Sequence, residues 1–173
     1  MTKRTKLHLL ILIAFLPFLH GCEKYPENPN RPLLQYPITV YLGDAHFLDP
    51  STNQWHDLKN DYDWVYIIAD IESTSRGIIV FHTCDYEFFA YDRIPPNDPD
   101  ACTDSQGNTT RLVVELPYVV DHCNNAYYNI LNGQIIISED FDMVPNFPTD
   151  GTVVFPLVQY HTTYDGSRLV ISN

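Results

Sequence analysis

Basic residues are scarce in this chain: ten Lys and Arg stand against 22 Asp and Glu, a formal net charge of -12. A surface of that sign repels phosphate backbones and anionic headgroups, so a nucleic-acid role is excluded. Long apolar runs are missing after residue 21. No later segment therefore has the roughly 20 apolar residues that a membrane-crossing helix needs. A sustained 3.6-residue apolar period is also missing, and helices are expected to be few and short. No Cys-x-x-Cys or His-x-x-x-His spacing occurs, which removes the common zinc frameworks. Nor do a nucleophile and a base stand at a spacing that supports hydrolytic chemistry.

What is present begins at the amino terminus. Lys3, Arg4 and Lys6 precede an apolar run from Leu7 to Leu19, broken only by His8 and Pro17, and then comes Leu19-His20-Gly21-Cys22. This order predicts a lipoprotein signal peptide over residues 1–21 with lipidation at Cys22. His20 departs from the small residue usual there, and an ordinary secretory signal or uncleaved anchor is the competing reading. Cys22 carrying more than one acyl chain would anchor the protein stably. Glu23 is not the aspartate that retains bacterial lipoproteins in the inner membrane, which points to the outer membrane of the cell envelope, with either face open. Residues 22–35 carry Pro26, Pro29 and Pro32 among polar residues and predict an extended tether. Without residues 1–21, seven basic residues face 22 acidic ones, a net of -15.

Residues 36–173 suit one domain. Runs rich in β-branched and aromatic residues recur between turn signals: Ile38–Leu42, Trp64–Ile68, Gly77–Phe81 and Tyr86–Tyr91. Leu112–Leu116, Gln134–Ser138, Val153–Tyr160 and Ser167–Ser172 are further candidates. The fold class this predicts is all-β. Asn132-Gly133 and Asp165-Gly166 predict two-residue hairpin turns with positive φ at both central positions. The segment Gly43–Asp63, which carries many polar and turn residues and Trp55, is either a long hairpin or an insertion. Aromatics make 13% of the chain, and most alternate within strand patterns, as core residues do. Trp55, Tyr62 and Tyr127 are the candidates for exposure, and through them an unrelated β-sandwich could bind glycan or protein.

Apart from Cys22 there are three cysteines, Cys84, Cys102 and Cys123, and an odd count in an exported chain predicts one bridge and one leftover thiol. Cys84 sits at an expected hairpin tip. The readings open for it are a free thiol there and a partly buried, inert one. His82, His122 and His161, with Asp121 and Cys123, are candidate metal ligands. Adjacent strand residues such as His122 and Cys123 point to opposite faces, however, and ligate one ion poorly together.

Two segments, Ala90-Tyr91-Asp92-Arg93-Ile94-Pro95-Pro96-Asn97 and Asp121-His122-Cys123-Asn124 with Tyr128 and Gly133 beyond it, resemble the two ligand loops of Rieske iron-sulfur domains. Pro156–Tyr160 and Tyr164–Ile171 resemble that family's closing hairpin. The resemblance implies an antiparallel β-sandwich with two cluster-type loops. It places Pro95 and Asn97 at the ligand positions of the first loop and Asp121 and Asn124 at those of the second. A [2Fe-2S] centre of this kind takes two thiolates and two imidazoles, and none of the four residues supplies either. The resemblance also pairs Cys102 with Cys123 across the loops and leaves Cys84 unpaired. The expected function is a lipid-anchored envelope protein that has lost its cluster ligands and keeps its scaffold for binding or structure. Its partner would be an envelope protein or a glycan, and no cofactor is expected. The alternative is a Rieske [2Fe-2S] electron-transfer protein, the component of an oxidoreductase, which would need ligands this sequence does not supply.

Overall fold

The computed structural model describes residues 27–29, 31–42, 46–49, 54–56, 58–68, 74–103 and 107–173. The expected signal peptide and Cys22 lie outside them. Among the described residues there are twelve strands: β1 (Ile38–Tyr41), β2 (His46–Asp49), β3 (Gln54–His56), β4 (Trp64–Ile67), β5 (Ile78–His82), β6 (Phe88–Asp92), β7 (Val113–Glu115), β8 (Tyr118–Asp121), β9 (Ala126–Asn129), β10 (Ile135–Ile136), β11 (Gln159–Tyr164) and β12 (Arg168–Ser172). Among the described residues the helical content is one 3-10 turn, Glu139–Phe141. The protein is all-β, with antiparallel pairing throughout.

The strands form a six-stranded sheet in the order β1-β12-β11-β6-β5-β4, a four-stranded sheet β10-β9-β8-β7, and a small β2-β3 hairpin. Two cores follow from the pleat. Ile78, Val80, Ala90, Leu169 and Ile171 turn into the first, within the curl of the six-stranded sheet. Ile79, Phe81 and Tyr91 turn into the second, where they meet Val114, Val119, Ala126 and Tyr128 from the four-stranded sheet. Strand β5 lies between the two cores and is buried at all five positions. That is why it reads as an unbroken apolar run where a strand with one wet face would alternate. Burying each of its large apolar side chains contributes about 1.5–3 kcal/mol before the entropy of ordering is set against it.

Several expectations need correction. The tether does not extend to residue 35 as a free segment: Leu34 is buried in the first core, and its N–H and C=O are both bonded to the Asn173 amide at 2.9 and 2.8 Å. Val153–Val158 is not a strand. Pro156 has no N–H to give a ladder, and the N–H and C=O of Phe155 are bonded to a side chain, that of Asn97. The segment expected to be a hairpin or an insertion does contain a hairpin, β2-β3. Strands β8 and β9 were not among the expected strands. In the two expected hairpin turns only the glycine has positive φ, Gly133 at 69° and Gly166 at 95°. The first is a five-residue connection from β9 to β10, and the second is closed by Asp165, whose Oδ1 accepts the N–H groups of Ser167 and Arg168.

Candidate functional site at two clamped loops

The first loop leaves β6 and reaches β7, and its start is fixed by the strand end. Asp92 Oδ1 accepts the Ile94 N–H at 2.7 Å, and the Arg93 N–H donates to Gly77 O at 2.8 Å. This delivers Pro95 and Pro96 into buried positions. Asn97 follows, half-buried, and every polar atom of its amide is used. Its Nδ2 donates to Phe155 O at 2.9 Å and to the Tyr128 hydroxyl at 3.1 Å, while its Oδ1 accepts the Phe155 N–H at 2.7 Å.

The second loop, residues 122–125, joins β8 to β9 and is organised by the carboxylate of Asp121. Asp121 is 2% exposed. Its Oδ1 accepts the N–H groups of Cys123 and Asn124 at 3.1 and 3.4 Å, and its Oδ2 accepts Asn124 Nδ2 at 2.7 Å. An acid capturing the N–H two residues on is the ordinary way a short Asp-led turn closes. Asn124, also buried, reaches across to Asp98 O of the first loop at 3.4 Å. Asn125 adopts the left-handed conformation at φ 50°, and its amide holds the carbonyls of Asp142 and Val144.

The loops therefore lie side by side, and a disulfide between Cys102 and Cys123 joins them with Cα atoms 5.9 Å apart. Beneath them Tyr128 is fully buried. Burial is the main cause that pushes its phenol well above the ordinary range, with the nearby Asp121 charge adding to the effect and the Asn97 bond opposing it. Its hydroxyl is thus a neutral partner for Asn97. Gly133 passes so close to this layer that a Cβ there would stand 3.1 Å from the Tyr91 ring and 3.2 Å from Leu157 Cβ. Only glycine combines that approach with a φ of 69°.

The three histidines are not brought together. His122 is exposed and pairs with Glu115 at 2.8 Å, and His161 faces the Thr163 hydroxyl at 3.3 Å. His82 is buried in the β5-β6 hairpin, with Nδ1 against Leu58 O at 2.8 Å and Nε2 3.8 Å from Asp61 Oδ1. Cys123 is committed to the disulfide. Among the described residues no three His, Cys, Asp or Glu side chains gather into a metal-holding group. Cys84 is free and exposed at the β5-β6 turn, where Asp85 and Tyr86 both have positive φ. Of the aromatics expected at the surface, Tyr62 is exposed and Tyr127 is half-buried, edge-on to Tyr118. The Trp55 side chain lies outside the described residues.

Sequence reasoning missed Asn125 and Phe155 as members of this site and had Tyr128 only as a position in the second-loop pattern. Nothing in the spacing of Phe155, 58 residues from Asn97, signals that they meet. No family model, no curated protein and no solved structure matches this chain. The geometry of its residues is what any functional reading rests on.

Proposed function

We propose that this chain is a lipid-anchored protein of the cell envelope, attached through Cys22, in which a Rieske-like scaffold serves a binding or structural role without an iron-sulfur cluster. The observation that carries the reading is the state of the four ligand-equivalent positions. Pro95 has no donor atom, the Asn97 amide is consumed by Phe155 and Tyr128, and Asp121 and Asn124 are bonded to each other. Such a centre needs soft thiolates and basic imidazoles. In their place a closed network of amide, carboxylate and backbone groups spans the two loops, backed by the disulfide. The residues present do not fit the cluster, and no electron-transfer step is assigned to them.

A scaffold of this kind is suited to recognition, because loops fixed by a disulfide and saturated hydrogen bonds lose little freedom on binding. The partner in this reading is an envelope protein or a glycan, and the acidic surface argues against nucleic acid. Anaerobic purification of the full chain, with iron and acid-labile sulfide analysis and a visible spectrum, tests the proposal. Colourless protein free of iron is the expected result. Stoichiometric iron with labile sulfide would overturn the proposal in favour of the electron-transfer alternative. Mass analysis of the amino-terminal peptide tests the anchor, since an unacylated Cys22 in membrane-derived protein contradicts it.

A further inference from the structure

The segment Val153–Val158, which leaves no strand behind it, forms one wall of a partly open cavity of about 480 Å³. That volume lies in the range of small-molecule sites, roughly 300–1,000 Å³. Asn28 and Arg31 form a second part of the lining, together with Gln134. Among the described residues Arg31 is the only charged one that lines the cavity, and no carboxylate does, in a chain where acids outnumber bases by 22 to ten. Among the described residues no acid pairs with the Arg31 guanidinium and no acceptor takes its hydrogen bonds.

Both parts of the lining are held in place. The Asn28 amide donates to Pro96 O at 3.0 Å, and the Arg31 N–H donates to Asn28 O at 3.1 Å. In the Val153–Val158 segment, the Phe155 backbone is clasped by Asn97, and the Leu157 N–H donates to Gly133 O at 2.8 Å. The side chains on that wall are apolar: Val153 is exposed, Phe155 half-buried and Leu157 buried. One free planar cation in the lining of a cavity that is otherwise largely apolar and prearranged selects for a particular ligand chemistry. A carboxylate matches the guanidinium fork in a bidentate pair, and an alkyl or aryl body would cover the apolar wall.

We infer that this cavity binds a small amphipathic monocarboxylate, its head on Arg31 and its body against Val153, Phe155 and Leu157. The inference does not rest on the family reading, and iron content leaves it unaffected. It is tested on the full chain in nonionic detergent by calorimetric titration with hexanoate, hexanol and hexylammonium. These probes share one chain and differ in the charge of the head. Hexanoate is expected to bind saturably and tightest, and hexylammonium weakest. Arg31→Gln is expected to weaken hexanoate roughly tenfold to a hundredfold, as the loss of a charge-assisted hydrogen-bonded pair does, and to leave hexanol unchanged. Val153→Glu, which keeps Arg31 and alters an exposed position, is expected to weaken hexanoate and strengthen hexylammonium. Equal binding of hexanoate and hexanol, a hexanoate preference that survives in Arg31→Gln, or no saturable binding at all would overturn the inference.

Discussion

In the six-stranded sheet, neighbouring strands are joined by backbone ladders and sealed by aliphatic and aromatic side chains, whereas at the loop end of the four-stranded sheet side-chain amides, one buried carboxylate and a disulfide do the joining. The ladder between β5 and β6 runs without a break from Ile78–Asp92 to His82–Phe88. Among the described residues no ladder joins the two loops: Asn124 reaches Asp98 O across them, the Cys102–Cys123 bridge links them, and Asn97 and Asp121 fix each loop locally. Ladders form wherever two extended segments of the right pattern meet. A side-chain clasp depends on a few particular residues. The sheet should therefore tolerate conservative exchange of single side chains, while the loops should be sensitive to the identity of each amide.

The largest effect is expected in the sheet, from removing a ring. Phe88 is 5% exposed, stacks on His82 at 4.4 Å and lies 5.1 Å from Tyr164. Phe88→Ala is expected to cost about 3–5 kcal/mol, the transfer and cavity cost of a buried phenylalanine. Urea unfolding should show it, and hydrogen exchange should show protection lost across both sheets, since the loss is global. Protection lost only near the β5-β6 turn would mean that the two regions unfold separately.

Replacing Cys102 and Cys123 together by serine removes a link across 21 residues of sequence. On chain entropy this is expected to cost about 3 kcal/mol. Unlike the Phe88 change, it should loosen chiefly residues 97–125, with the β5-β6 ladder retaining its protection. A uniform loss would show the loops to be as integral to the cooperative unit as the sheet. Under native conditions Cys84 should be the thiol that an alkylating reagent labels, because it is exposed and unpaired.

The same contrast explains what could be read from the sequence. Strand β5 was legible because burial on both faces leaves five consecutive apolar or aromatic positions. The all-β class followed from repeated runs of that kind. The Cys102–Cys123 pairing was legible from an odd cysteine count combined with the loop resemblance. Turn detail was not legible: Asn132 and Asp165 were expected to share positive φ with the glycines after them, but longer connections place only the glycine there. The role of Phe155 was hidden, because its partner is an amide far away in sequence and the contact runs through backbone atoms that any residue would offer. Arg31 had been counted within a tether, and only its place in the lining of the same cavity as Val153–Val158 gives its charge a meaning.

A smaller effect is expected from Asn97→Ala. It removes three hydrogen bonds and leaves the N–H and C=O of Phe155 without partners in a half-buried place. Stranding such groups costs about 1–3 kcal/mol in total. Chemical denaturation should show the loss, and the Phe155 amide should exchange faster than in the parent chain. An unchanged exchange rate would show that the clasp adds no rigidity to the cavity wall, and that loop and sheet differ less than the bonding implies.

The smallest effect is a slope with pH, and it sits where the two regions meet. Asp92 ends β6 and begins the first loop, with no exposed surface. Burial raises its carboxyl above the ordinary value, while hydrogen bonds from Ser75, Tyr160, Ile94 and Arg76 oppose the shift without cancelling it. Between the unfolded and folded values the native state holds more protons than the unfolded chain, so stability falls as pH rises through that window. The contribution of Asp92 is fully present below the ordinary carboxylate pKa of about 3.9 and is lost as pH climbs through the raised folded value. An asparagine at this position keeps an oxygen for the Ile94 N–H and offers an N–H to the Tyr160 oxygen, whose hydroxyl now donates to Asp92 Oδ2 at 2.7 Å. Asp92→Asn should therefore flatten the decline. Its stability relative to the parent chain should improve as pH rises from about 4 through the raised folded value and level off above it. A difference between the two chains that does not change with pH, measured by urea unfolding at matched ionic strength, would show that the junction carboxylate keeps its ordinary titration despite its burial.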